Sequence, residues 1–249
     1  MNDKVQPDTL TVSPPGSEPA PKEPAEHQVS TFRLVATLAV AGILAGILIA
    51  FVNQHTKPII DEYRAEQFRL AVYEVLPGTD RYDTYYLVND VLSLSLPEGV
   101  KESDYKRVYV SYNTENQLHG VAMSRGESGF QDIIMVIFGW SPNTGKLMGM
   151  KVLDSKETPG LGDKIFKDLP WVAQFFDGPD TPLIPIKPGA GKGQPGEIDT
   201  ITGATISTKK VIEIINNGLE EWKPYLDQGL PQSSPVEVPE APAEAEVQS

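Results

Sequence analysis

The chain has 249 residues, with 21 Lys and Arg against 34 Asp and Glu, three His and no Cys, for a formal net charge of −13. That length covers one ordinary domain with extensions, and the lack of Cys excludes disulfides, thiolate-held zinc, Cys-ligated iron–sulfur clusters and a Cys nucleophile. An acidic chain without a Lys/Arg cluster lacks the phosphate-neutralising charge that nucleic-acid binding needs, and His27, His55 and His119 are too scattered to ligate a metal.

Residues 1–30 carry Pro7, Pro14, Pro15, Pro19, Pro21 and Pro24 among acids and few large apolar side chains. Such a composition cannot offset chain entropy, so a disordered tail is expected. Leu34–Val52 is then an uncharged run of 19 residues, long enough to cross a hydrocarbon core about 30 Å thick. It has no polar face, unlike a buried soluble helix. It is also longer than a signal-peptide core and does not end in small residues. A retained transmembrane helix is expected over 33–53, in contact with membrane lipid. Gly42 and Gly46, with Ala41 and Ala45 beside them, form a small-residue stripe suited to packing against other membrane subunits. Arg33 before the run and Lys57 and Arg64 after it do not orient it.

Residues 56–100 read as a stalk helix and linker. Lys57–Leu76 is amphipathic, with Pro58 suited to a first helical position and Pro77-Gly78 ending it. Asp80–Gly99 is weakly patterned and reads as a loop that can hold a short strand at Val91–Leu96.

The domain proper is expected at 101–226. From Lys106 the period becomes two: Val108, Val110 and Tyr112 alternate with Tyr109 and Ser111, Asn113–Asn116 turns, and Leu118–Ser124 returns. Gly126-Glu127-Ser128-Gly129-Phe130 breaks the pattern. Gln131–Trp140 is a buried strand, Asn143-Thr144-Gly145-Lys146 a tight turn, and Leu147–Leu153 a further strand. Antiparallel hairpins followed by a helix make an α+β domain, an antiparallel sheet packed by helices.

Two later stretches carry chemistry. In Glu157-Thr158-Pro159-Gly160-Leu161-Gly162 a Pro-Gly turn and two glycines let a planar ring approach backbone N–H groups; alone, it also reads as an ordinary strand-to-helix loop. After a proline-rich loop at 177–197 comes Asp199-Thr200-Ile201-Thr202-Gly203-Ala204-Thr205-Ile206-Ser207-Thr208. It leads into a helix with Val211, Ile214, Ile215, Leu219, Trp222 and Leu226 on one face. Ser207 or Thr208 is the expected N-cap. A helix N-terminus behind small residues attracts phosphate, although a capped helix with a polar lead-in explains the same residues. Residues 229–249, rich in Pro and Glu, read as a second disordered tail. No nucleophile–base pair emerges anywhere.

Asp199-x-x-Thr202-Gly203-Ala204-Thr205 resembles the flavinylation motif of the FMN-binding domain family, in which a flavin transferase joins the FMN phosphate to the last Thr. The resemblance implies covalent FMN on Thr205, with Asp199, Thr202, Gly203 and Ala204 as recognition context. Thr200, Thr202, Ser207 and Thr208 are hydroxyls nearby, and spacing does not choose among them. Glu157–Gly162 resembles a second element of that family, which implies a wall for the flavin ring, and Gly126-x-x-Gly129-Phe130 resembles its glycine-rich turn. Gly162-Asp163-Lys164-Ile165 and Trp171-Val172-x-x-Phe175 resemble the G subunit of the Rnf electron-transport complex over roughly residues 33–226. That implies an electron-transfer subunit rather than a stand-alone enzyme, in a complex coupling ferredoxin and NAD oxidoreduction to ion movement. It also implies a single anchor in the cytoplasmic membrane and a soluble domain on the extracytoplasmic side. The long acidic N-terminal tail departs from that family's short basic one. The alternatives are the C subunit of a sodium-translocating NADH:quinone reductase, or a non-redox anchored domain whose Gly-Ala-Thr turn is merely structural.

Overall fold

The computed structural model describes residues 30–176 and 178–229. The expectations for residues 1–29 and 230–249 lie outside them. The chain divides into two units, Met1–Pro58 and Ile59–Ser249.

In the first unit the described chain is helical, the start of α1 (Thr31–Val75). Among the described residues α1 alone is long and apolar enough to cross a membrane. Its side chains from Leu38 to Val52 are exposed all round, as expected of a helix whose solvent is lipid. Thr37 returns its hydroxyl to the carbonyls of Arg33 and Leu34, at 2.8 and 3.0 Å. Gly42 and Gly46 face open space. Pro58 lies inside α1 and does not begin a new helix. It gives up one N–H, and the helical patterns on both sides carry the chain through.

In the second unit six strands form one antiparallel sheet in the order β2-β1-β3-β4-β5-β6. They are β1 (Arg81–Val88), β2 (Val91–Ser93), β3 (Arg107–Tyr112), β4 (Leu118–Ser128), β5 (Ile133–Ser141) and β6 (Lys146–Asp154). Alternation sorts their side chains onto two faces. Tyr109, Ala122 and Ile137 meet Ala71, Val72, Val75 and Leu76 at the end of α1. Val110, Met123, Val136 and Phe138 form the opposite core with Val211, Ile215, Leu219 and Trp222 of α4 (Thr205–Leu226). The sheet is thus sandwiched between helices, the expected α+β arrangement. Two short helices, α2 (Lys164–Lys167) and α3 (Leu169–Ala173), and a parallel pair, β7 (Ile184–Ile186) and β8 (Glu197–Asp199), lead from β6 to α4.

Two expectations are corrected. Within Asp80–Gly99 the expected short strand is β2 (Val91–Ser93), but the residues before it are not loop: they form β1, and the two strands make a hairpin over 81–93. Asn89 and Asp90, with φ of 49° and 63°, supply the two left-handed residues of its tight turn. In β1 only Tyr85 is fully buried, so its apolar alternation is faint. The β4 strand also does not stop at Ser124: Gly126 pairs with Met135 and Ser128 with Ile133, and the reversal is the turn at 129–132, closed by Gly129 N–H donating to the Asp132 carbonyl at 2.8 Å.

Close backbone approach fixes the end of α1 on the sheet. A Cβ at Gly139 of β5 would run into the Val75 carbonyl and the Leu76 side chain. Gly139→Ala is expected to lift the helix end and cost about 1–3 kcal/mol, the usual range for overpacking. Denaturant unfolding of the full chain in detergent checks this; a stability equal to wild type contradicts it.

Candidate functional site

The two chemistry-bearing stretches face each other across a cavity of about 330 Å³. Glu157, Thr158, Leu161 and Gly162 form one wall, Gly203 to Ser207 the other, and Phe130 of the β4–β5 turn also lines it. Pro159 and Gly160 are exposed and outside the lining; Gly160, at φ +77°, turns the loop.

Glu157 holds the walls together. It is only 5% exposed. The N–H of Gln131 donates to its Oε1 at 3.0 Å, and the Ser207 hydroxyl to its Oε2 at 2.6 Å. Burial pushes this carboxyl up, but hydrogen bonds from Gln131 N–H, Ser207 and the N–H groups of Asp132 and Phe130 outweigh it and hold the group below its ordinary value. Two glycines leave room for the carboxylate. A Cβ at Gly129 would stand 2.5 Å from Oε1, and one at Gly162 2.6 Å from Oε2. Thr158 adds a bond from its hydroxyl to Gln131 Oε1 at 2.9 Å. Beside it Asp163, also buried, is held low by Lys167 at 2.6 Å, against the opposing effect of burial, and by the N–H of Gly160.

The start of α4 differs from the expected one. Ala204 is the N-cap and Thr205 the first helical residue, so Ser207 and Thr208 cap nothing. Each hydroxyl has a stronger claim on it: Glu157 takes Ser207, and Thr208 returns its hydroxyl to the carbonyls of Ala204 (3.0 Å) and Thr205 (3.2 Å). The N–H groups of Thr205, Ile206 and Ser207 find no acceptor among the described residues, the usual condition of a helix's first turn. Gly203, at φ +84°, makes the bend that precedes it.

Asp199 and Thr202 are not in the cavity lining. Asp199 works through its backbone: its N–H donates to Gln174 Oε1 at 2.9 Å, and its carbonyl accepts from the Trp171 indole at 2.6 Å. It borders a separate cavity of about 380 Å³ beside a glycine-rich loop. Sequence reasoning gave no functional role to Gln131 or Ile206 and took Ser207 for a cap or a nearby hydroxyl, not for a partner of Glu157. The signal available was Gly129-Phe130, whose glycine is required by the distant Glu157.

Among the described residues no cluster of His, Cys, Asp or Glu could hold a metal. The FMN-binding domain family matches residues 129–220, a span that contains the Gly129 turn and both cavity walls. The G subunit of the ion-translocating oxidoreductase complex of Photorhabdus laumondii is 30% identical over 184 residues, 72% of this chain and 84% of that protein. The chain belongs to the family of these G subunits. The Escherichia coli K12 member shows the same identity and coverage, and that of Methanosarcina acetivorans is 26% identical over 190 residues, 76% of this chain and 92% of its own. Among solved structures, NqrC of Shewanella oneidensis matches with a TM-score of 0.50 at 18% identity, over 62% of this chain and 86% of that one; this likeness is one of fold.

The residues suit FMN. Three free amides at a helix N-terminus are suited to a phosphate. Phe130, Leu161 and Ile206 are 65%, 50% and 57% exposed at the cavity, apolar surface that an aromatic ring system can cover. A Cβ built at Gly203 would be no nearer than 3.7 Å to its neighbour, the Leu161 side chain, so the backbone is open to close approach.

Because the Glu157 carboxyl sits below its ordinary value of 4.5 in the folded protein, its ionised form stabilises the fold above the unfolded-state value. That contribution disappears as pH falls through the folded value. Glu157→Gln is therefore expected to destabilise the protein most at pH 7, with the gap to wild type closing below about pH 4, under the usual carboxylate range. Thermal unfolding of both proteins across that range tests this; a gap independent of pH contradicts it.

Proposed function

We propose that Thr205 carries FMN as a phosphoester and that the protein relays electrons within an ion-translocating ferredoxin:NAD oxidoreductase of the Rnf type. The supporting observation is how the hydroxyls around the cavity are distributed. Thr200 is buried and donates to the Ile186 carbonyl at 2.9 Å. Ser207 and Thr208 are buried and committed, and Thr202 lies outside the lining. Thr205 is exposed, lines the cavity, and has only a long contact of 3.4 Å to the Ile201 carbonyl, at the limit of a hydrogen bond. A flavin transferase can reach its oxygen, whereas the hydroxyls of Thr200, Ser207 and Thr208 are buried and that of Thr202 stands away from the cavity.

FMN supplies the redox chemistry when bound. The chain receives the phosphate at the free amides of Thr205, Ile206 and Ser207 and offers the ring the wall from Glu157 to Gly162. Asp199, through Gln174 and Trp171, fixes the approach to the motif. The relatives are subunits of an ion-translocating oxidoreductase complex, so this chain works among other subunits, with α1 as a single-pass anchor in the cytoplasmic membrane. Gly42 and Gly46 are where neighbouring helices pack closely, and the flavin domain lies on the extracytoplasmic side. There a tether retains a cofactor that the cytoplasm cannot replace. Likeness to NqrC is confined to fold, whereas the 30% identity is to the G subunits, which favours this complex over the quinone reductase.

Co-expressed with a flavin transferase, the wild-type protein is expected to fluoresce in a denaturing gel, and Thr205→Ala to be dark with an unchanged thermal midpoint. A dark wild-type band removes the flavoprotein reading; a bright Thr205→Ala band moves the attachment to another residue.

A further inference from the structure

Glu157 is the only acidic side chain lining the 330 Å³ cavity. It forms no ion pair among the described residues. Lys156, next in sequence, pairs with Asp132 at 3.2 Å, and Lys167 pairs with Asp163. Every partner of Glu157 is instead a neutral donor: the Ser207 hydroxyl and the backbone N–H groups of Phe130, Gln131 and Asp132. A carboxylate surrounded by donors is held in its ionised, acceptor-only form. Neutral dipoles attenuate its field without cancelling it, and at 5% exposure solvent screens it weakly. A carboxylate is not needed merely to bridge two walls, since an amide or a pair of hydroxyls satisfies backbone donors without the cost of burying a charge.

We propose that Glu157 tunes the cofactor electrostatically: it is a fixed negative charge in the cavity wall that opposes electron uptake by the group carried on Thr205 and so lowers its reduction potential. This rests on the FMN reading above. Uptake of one electron adds one negative charge to the bound group, and the reduced redox centre of a neighbouring subunit is oxidised by one electron in supplying it. The carboxylate exchanges no electron. It acts through space, raising the energy of the reduced form relative to the oxidised one. Its effect falls on the potential and not on attachment, which occurs at a hydroxyl on the opposite wall.

The test is a spectroelectrochemical titration of the full chain in detergent, after co-expression with a flavin transferase, at pH 7.5. Glu157→Gln removes the charge and is expected to shift the midpoint potential upward. Ser207→Ala removes a neutral donor and leaves the charge less attenuated, so its midpoint is expected to fall. An unmoved or lowered midpoint in Glu157→Gln overturns the proposal. So does a rise in both variants, which is the signature of a loosened wall. If Glu157→Gln does not fold, Ser207→Ala decides alone: a lowered midpoint supports the proposal, and an unchanged or raised one overturns it. In-gel fluorescence separates the two levels. A dark wild-type band removes the attachment to Thr205, whereas a bright band with unmoved midpoints removes only the charge effect.

Discussion

The site depends on one buried carboxylate. Glu157 reaches back 26 residues to the N–H of Gln131 and forward 50 residues to the hydroxyl of Ser207. It therefore cross-links the β4–β5 turn, the loop after β6 and the first turn of α4. A buried charge is tolerated only when its lone pairs are filled, so the demand runs outward from Glu157. The turn must aim its amides inward, Ser207 must give up any capping role, and Gly129 and Gly162 must lack side chains because a Cβ at either would occupy the carboxylate's space. Features far apart in the sequence are thus consequences of one group.

The rest of the domain brings those three segments to one place. β4 and β5 pair from Val121–Trp140 out to Ser128–Ile133, which sets where their turn emerges. β5 and β6 pair over nearly their full length, so the loop after β6 leaves the sheet beside that turn. α4 is held along its apolar face by Phe138, Met123 and Val110. Gly218 lets it approach closely, since a Cβ there would stand 2.7 Å from the Phe138 ring. Arg125 of β4 pairs with Glu127 and with Glu221 of α4, and Asn217 donates to Glu127 at 3.0 Å. With the second half of the helix tied to β4 and its first turn tied to Glu157, the N-terminus has little freedom to drift from the cavity.

The sequence displayed whatever depends on local period. The apolar run of α1, the alternation in β3, the buried apolar run of β5 and the helical stripe of α4 each follow from residues close in the chain. Of the β1–β2 hairpin only the short second strand was legible in that way; the Tyr and Thr side chains of β1 are mostly half-buried and blur its apolar signal. The cap of α4 was misread for a different reason. Ser207 and Thr208 have the right chemistry for an N-cap, but which acceptor each hydroxyl meets is decided by Glu157 and by the helix's own carbonyls. Asp199 and Thr202 belong to the motif as a string, yet only Gly203, Ala204 and Thr205 of that string line the cavity. A motif records everything needed to make and present the site, including backbone supports such as Asp199, and only the fold separates supports from surface.

The geometry also bears on why a flavin domain of this shape would gain from the covalent bond proposed above. A helix N-terminus favours a nearby anion by about 0.3–1 kcal/mol at an exposed position, which is less than a tenfold gain in affinity. The amides of Thr205, Ile206 and Ser207 offer that and hydrogen bonds that compete with water. The cavity is open, and the apolar side chains around it, Phe130, Leu161 and Ile206, are half-exposed or more; they cover one side of a ring and do not enclose it. An enclosed pocket could retain the cofactor unaided, but it would also keep the ring away from a neighbouring redox centre. A shallow site gives up retention to gain access, and the proposed ester at the Thr205 hydroxyl would restore retention without closing the site. On this reading the open cavity and the uncommitted Thr205 hydroxyl on its wall are two halves of one solution to moving electrons between subunits.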